Sequence, residues 1–127
     1  MRYLDAALAI TWLGDAFGFE THLVAEEADG CIAHAQLTLG DNMIMLGSVR
    51  DGEFDAVQKT PKDLGGKVTM SIYVVVADVD EHFTRARAAG AEITLEPADQ
   101  DYGGRLYSCF DLEGHLWNFG SYDPWLA

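Results

Sequence analysis

DAALAITWLGDAFGFE (residues 5–20) and DVDEHFTRARAAGAE (residues 78–92) are two versions of one pattern. Each opens on an acid, Asp5 or Asp78, of the kind that caps a helix by accepting a backbone N–H. The first then runs through Leu8, Trp12, Leu13 and Ala16, the second through Phe83, Ala86 and Arg87, at helical spacing. Each next meets a glycine, Gly18 or Gly90, where a helix stops and a strand begins. From Asp5 to Glu20 is 15 positions and from Asp78 to Glu92 is 14, so the two copies agree within one residue.

The flanking sequence repeats as well. After Gly18 come strand residues 19–25, a turn at Glu27-Ala28-Asp29-Gly30, an alternating strand over 31–39, a tight turn at Gly40-Asp41-Asn42 and a strand over 43–48. After Gly90 come a strand over 91–96, a loop over 97–104, a strand over 105–110, a turn at Asp111-Leu112-Glu113-Gly114 and a strand over 116–120. A leading strand at 68–76 precedes the second helix. Only residues 1–4 precede the first, so its leading strand is expected to be short. The pattern predicts an α+β fold of paired βαβββ modules, each sheet apolar toward its helix, with the other faces curving into a mixed-sheet cup. It predicts a single domain over 1–127, with a pseudo-repeat of 1–48 and 67–121 joined by a linker, 49–66. Pro61, Gly65 and Gly66 mark that linker as an exposed connector, a lid or dimer contact being the alternative.

Composition narrows the function classes. With 21 acidic and 8 basic residues the net charge is −13, which argues against binding nucleic acid or an anionic membrane. The acidity keeps the protein soluble and mildly favours a cationic ligand. No apolar run approaches the roughly 20 residues of a membrane helix, and residues 1–10 do not read as a signal peptide. Cys31 and Cys109, the only cysteines, are expected to be free, inert thiols in a reducing cytoplasm.

Strand parity selects candidate ligand contacts. His34 shares a face with Ile32, Gln36 and Thr38, while Ala33, Ala35, Leu37 and Leu39 suit the helix-packed face. His34 and Gln36 are thus expected in the cup, His34 either as a satisfied structural histidine or as a ligand or acid/base group. Ser71 and Tyr73 share a face opposite Ile72 and Val74, and Asn118 lies opposite Trp117 and Phe119. Tyr73 and Asn118 are therefore pocket candidates, with Tyr107 a further one. His22 and His82 are expected on solvated surfaces, and His115 on backbone in its turn. Arg105 is expected to pair with an acid such as Asp111, anchoring of an anionic group being the alternative. Asp111 reads as a turn-maker, and Met43 and Met45 as core filling. Tyr122-Asp123-Pro124-Trp125 is expected to cover a sheet edge or a partner subunit.

Four segments in this order resemble the glyoxalase/bleomycin resistance protein/dioxygenase (vicinal oxygen chelate) superfamily, and its glyoxalase-like branch in particular. They are Asp5-Ala6-Ala7 through Ala16-Phe17-Gly18-Phe19-Glu20; Ile32-Ala33-His34-Ala35-Gln36-Leu37 with Gly40-Asp41 and Met43-Ile44-Met45-Leu46; Val74-Val75-Val76-Ala77-Asp78-Val79-Asp80; and Tyr102-Gly103-Gly104-Arg105 with Asp111-Leu112-Glu113-Gly114-His115-Leu116-Trp117. The resemblance implies a sheet cup that in related enzymes holds a divalent metal on His, Gln or Glu side chains. Carried over residue by residue, the second module's metal positions are Ser71 and Asn118. The first module's leading position falls before residue 1, and residues 43–48 hold no carboxylate or imidazole. The expectation is therefore a protein without the usual metal or any other cofactor, a homodimer binding a small organic molecule through His34, Gln36, Ser71, Tyr73, Tyr107 and Asn118. The alternatives are a lyase or dioxygenase of the same superfamily, using a displaced metal or acid/base chemistry by His34 or Tyr73, and a silent domain with a self-filled cup.

Overall fold

The computed structural model describes residues 1–126. Strand β1 (Arg2–Tyr3) leads into helix α1 (Ala6–Phe17), followed by β2 (Glu20–Glu26), β3 (Ile32–Leu39) and β4 (Asn42–Ser48). A connection with one short 3-10 helix, Pro61–Leu64, leads to β5 (Ile72–Val75), α2 (Val79–Ala88), β6 (Glu92–Asp99), β7 (Arg105–Phe110) and β8 (Leu116–Gly120). The sheets run β1-β4-β3-β2 and β5-β8-β7-β6, so the repeat read from the sequence is a repeat of topology. In both, the leading strand lies parallel to the last and the remaining pairs are antiparallel. Even the irregularities match, since β2 shifts register at Thr21/Leu23 and β6 at Ile93/Leu95. The leading strand of the first module is two residues long, as expected.

The repeated caps account for the helix limits. Asp5 accepts from Leu8 N at 3.0 Å and Asp78 from Glu81 N at 3.1 Å, each satisfying an N–H without an intrahelical partner. Gly18 ends α1 at φ 86°, a left-handed conformation that L side chains rarely adopt. The Arg85 guanidinium of α2 closes the same terminus, donating to Gly14 O at 2.9 Å and Asp15 O at 2.8 Å. Trp12 of α1 donates in turn to Ala89 O at 2.8 Å, so each helix satisfies groups on the other.

The helix-side faces of both sheets join one hydrophobic core. Phe17 stands at its centre, with ring centroids 4.6 Å from Phe119 and 5.2 Å from Trp117. His82 corrects the sequence expectation of a solvated side chain. It is half-buried, stacks on Phe17 and packs at a tilt against Phe119. Its Nε2 lies 2.8 Å from Phe17 O, a carbonyl that only accepts, so Nε2 carries the proton. Nδ1 then accepts from Tyr107 Oη at 2.5 Å. Burial lowers its pKa below the ordinary histidine value, which keeps the ring neutral.

Asp111 is likewise more than a turn residue. It is 6% exposed, and its Oδ2 accepts from Tyr3 Oη at 2.6 Å and Trp117 Nε1 at 3.0 Å. Its Oδ1 accepts from Glu113 N and His115 N. Burial first, then the Asp111 charge, pushes the Tyr3 phenol pKa well up, so Tyr3 remains the donor. Glu113 reaches across to accept from Leu4 N and Asp5 N at 2.6 and 2.9 Å. His115 bonds Arg2 O at 2.8 Å, the backbone contact its turn position suggested. The β7–β8 turn of the second module is thereby fastened to the start of the first.

Candidate functional site

Register defines the faces turned away from the helices. In the first sheet Leu23 pairs with Gln36 and Gln36 with Met45; Ala25 pairs with His34, and Thr38 with Met43. Cross-strand partners share a face, so Leu23, Ala25, His34, Gln36, Thr38, Met43 and Met45 form one surface. Met43 and Met45 are 43% and 50% exposed, which corrects their assignment to core filling. The Gln36 amide nitrogen lies 3.1 Å from His34 Nε2. An amide nitrogen only donates, so this bond leaves the neutral imidazole proton on Nδ1.

In the second sheet Tyr73 pairs with Asn118, Asn118 with Ser108, and Ser108 with Leu95. This is the corresponding outer face. Ser108 donates to Asn118 Oδ1 at 2.7 Å, and Asn118 Nδ2 donates to Ile72 O at 3.2 Å. Tyr73 is 40% exposed and donates to Tyr122 O at 2.6 Å, so the tail folds back over this sheet while Trp125 stands in solvent. Partial burial raises the Tyr73 pKa, keeping the phenol protonated at neutral pH. Ser71 is exposed just ahead of β5. Ser108 was missed in the sequence, although the 111–114 turn sets it opposite Asn118.

Tyr107 is a correction. It pairs with Phe119 on the helix side and is fully buried, bonded to His82 and packed on Phe83 and Phe119. It lines no face that a ligand could reach. Arg105 pairs with acids as expected, but with Asp80 and Asp99 rather than Asp111. Cys109 is fully buried and its thiol pKa is pushed up to about 12, chiefly by burial. His22 is exposed.

Within one chain the candidates form two groups rather than one. His34 and Gln36 lie on the first sheet, and Ser71, Tyr73 and Asn118 on or beside the second. Of three surface clefts among the described residues, none is lined by His34, Gln36, Ser71 or Asn118. The largest, about 900 Å³, lies between the β3–β4 turn, the α2 N-terminus and the tail, and its acids are Asp41, Asp78, Glu81 and Asp123. A second, about 330 Å³, contains Asp51, Asp55 and Asp63 beside Arg2 and Arg50. The third, about 510 Å³, lies under the inter-module connection.

The donor set does not suit a divalent ion at the positions the resemblance indicates. Asn118 has committed its oxygen to Ser108 and its nitrogen to Ile72, and Ser71 brings no anionic or imidazole neighbour. Among the described residues no group of three or more His, Cys, Asp and Glu side chains is placed to hold a metal. No helix is long and apolar enough to cross a membrane.

Comparison with known proteins agrees with this architecture. The chain is 34% identical over 116 residues to the uncharacterized protein Mb0911c of Mycobacterium bovis, covering 91% of this chain and 76% of that protein. It matches the uncharacterized protein Rv0887c of Mycobacterium tuberculosis at the same identity, covering 91% and 68%. Among solved structures, TioX from Micromonospora sp. ML1 superposes with a TM-score of 0.74 at 38% identity, over 94% of this chain and 90% of that one. The fosfomycin resistance protein FosX from Listeria monocytogenes, solved with Mn(II) and a sulfate ion, superposes at 0.68 over 98% and 88%. At 16% identity it shares the fold alone. The family description Glyoxalase/Bleomycin resistance protein/Dioxygenase superfamily matches residues 1–119, and this chain belongs to that superfamily.

Proposed function

We propose that this protein binds a small organic molecule in a cup with two walls, without a catalytic metal. One wall is the His34–Gln36 face of one copy and the other is the Tyr73–Asn118 face of a second copy. The reading rests on one observation: each sheet leaves its non-helical face open, carrying polar side chains that are held by bonds yet reachable. On the first, His34 and Gln36 stand among Leu23, Met43 and Met45. On the second, Tyr73 and Asn118 stand beside Leu95, with Asn118 held by the buried Ser108. Apolar surface with a few convergent polar groups is the ordinary composition of a small-molecule site. Methionine side chains adapt to varied ligand shapes. Leu23, Met43, Met45 and Leu95 are each at least 43% exposed, a cost that pairing of the two faces would remove. The protein would then be a cytoplasmic homodimer with free thiols and no nucleic-acid or membrane partner.

A thermal-shift screen of small aromatic and cationic compounds tests this. A stabiliser at about 100 times its Kd adds about 2.7 kcal/mol. His34→Ala or Tyr73→Ala should abolish that gain while leaving the unliganded midpoint nearly unchanged. A flat screen would support a self-filled cup instead. About one tightly held divalent ion per chain, lost together with an activity, would replace the binding reading with an enzymatic one.

A further inference from the structure

All three lysines of this acidic chain, Lys59, Lys62 and Lys67, fall within nine residues of the inter-module connection. None of them joins an ion pair or a side-chain hydrogen bond among the described residues, whereas Arg2, Arg50 and Arg105 all pair with carboxylates. Two of the three, Lys59 and Lys67, border the 510 Å³ cleft beneath that connection. Its lining contains no Asp or Glu, although the chain carries 21 of them and the other two clefts each hold at least three. Its walls are otherwise largely apolar, including Val57, Leu64, Val68, Met70, Ile72 and Leu116. The roof is held in place, because Arg2 and Asp55 pair at 3.0 Å with side chains only 12% and 14% exposed, and Arg2 lies over the Phe54 ring.

We propose that this cleft is a binding site for a small amphipathic acid, a hydrocarbon or aromatic body bearing one carboxylate. The apolar walls take the body, and Lys59 and Lys67 take the head group. Two lining lysines and no lining carboxylate give the cleft a local charge opposite in sign to the net −13 of the molecule, a basis for discrimination by charge as well as by shape. Lysine ammonium groups act as point charges. Arg2, which also borders the cleft, is drawn by its Nε toward Asp55, so Lys59 and Lys67 are the cations left for the head group. The site is separate from the cup, since neither His34, Gln36, Tyr73 nor Asn118 lines it.

The test compares octanoate, octanol and octylammonium by calorimetric titration of the whole protein. Amide chemical-shift mapping locates each ligand. Octanoate should bind, with shift changes concentrated in residues 57–72 and at Leu116, octanol more weakly at the same place, and octylammonium not there. The double variant Lys59→Gln/Lys67→Gln, altered only at exposed side chains, should keep its thermal midpoint. It should bind octanoate about tenfold more weakly and octanol as before. Failure of octanoate to bind, shift changes centred on His34 or Tyr73, equal binding of octylammonium, or undiminished octanoate affinity in the double variant would each overturn the proposal.

Discussion

Replacing Asp111 by Ala tests the fastening between the two modules. The carboxylate accepts from two fully buried donors, Tyr3 Oη and Trp117 Nε1, and from two backbone N–H groups of its own turn. Each buried donor left without an acceptor costs about 1–3 kcal/mol. Two of them give a loss of about 4 kcal/mol, a large share of the roughly 5–15 kcal/mol that holds a domain together. For a chain of this size that corresponds to a fall in Tm of about 15 °C. Tyr3→Phe removes one donor and leaves Asp111 its other three bonds, so it should cost only about 1–2 kcal/mol. The two changes should not add: in the Asp111→Ala background the Tyr3 hydroxyl has already lost its acceptor, and Tyr3→Phe should be nearly neutral or mildly stabilising. Urea unfolding of the four proteins at pH 7, followed by tryptophan fluorescence, measures the cycle. A loss below about 1 kcal/mol for Asp111→Ala, or simple additivity, would refute the placement of Asp111 as the buried acceptor.

Three further outcomes follow from particular groups. His82 is held neutral, with its pKa lowered by burial from the ordinary 6.5. The unfolded chain therefore takes up that proton first, so the contribution of His82 is intact above about pH 6.5 and is lost as the pH falls through the folded value. Urea midpoints should decline between pH 7 and pH 5, and His82→Gln should flatten the decline; an unchanged slope would mean that the ring already titrates freely. Glu113→Ala should cost about 1 kcal/mol, because Leu4 N and Asp5 N lose their shared carboxylate; an unchanged urea midpoint would contradict that contact. A disulfide-exchange reagent should titrate only half-buried Cys31 in the native protein and both thiols in denaturant, since Cys109 is buried with its pKa raised to about 12; rapid native reaction of both would contradict the burial.

The sequence carried the fold because its determinants are local and occur twice. Asp5 and Asp78, Gly18 and Gly90, and the alternation of residues 31–39 are decided within a few positions of the chain. The same alternation placed His34 and Gln36 together on the outer face. Tyr107 shows where parity needed one more step. Counting outward from the turn at 111–114 pairs Tyr107 with Phe119, already assigned to the helix side, and this would have put it in the core. His82 also left a signal, since 79, 82 and 86 form one helical stripe with buried Val79 and Ala86. Asp111 left none, because its partner Tyr3 is 108 positions away and a buried acceptor looks like any turn aspartate until the modules are in place. The separation of the two candidate walls was equally invisible, since strand parity fixes which face a residue occupies and not which face stands opposite.

That opposition is the central claim, and mixing two inactive variants tests it most directly. Take a compound that stabilises the wild-type protein, and prepare His34→Ala and Tyr73→Ala chains that each fail to bind it. If a cup takes its walls from two copies, a mixed dimer contains one cup with both walls intact. Co-refolded variants should therefore recover binding, as calorimetric titration would show, at one site per mixed dimer. If the mixture stays as inactive as its components, although mixed dimers are shown to form, the cup is not built from two copies and the account fails.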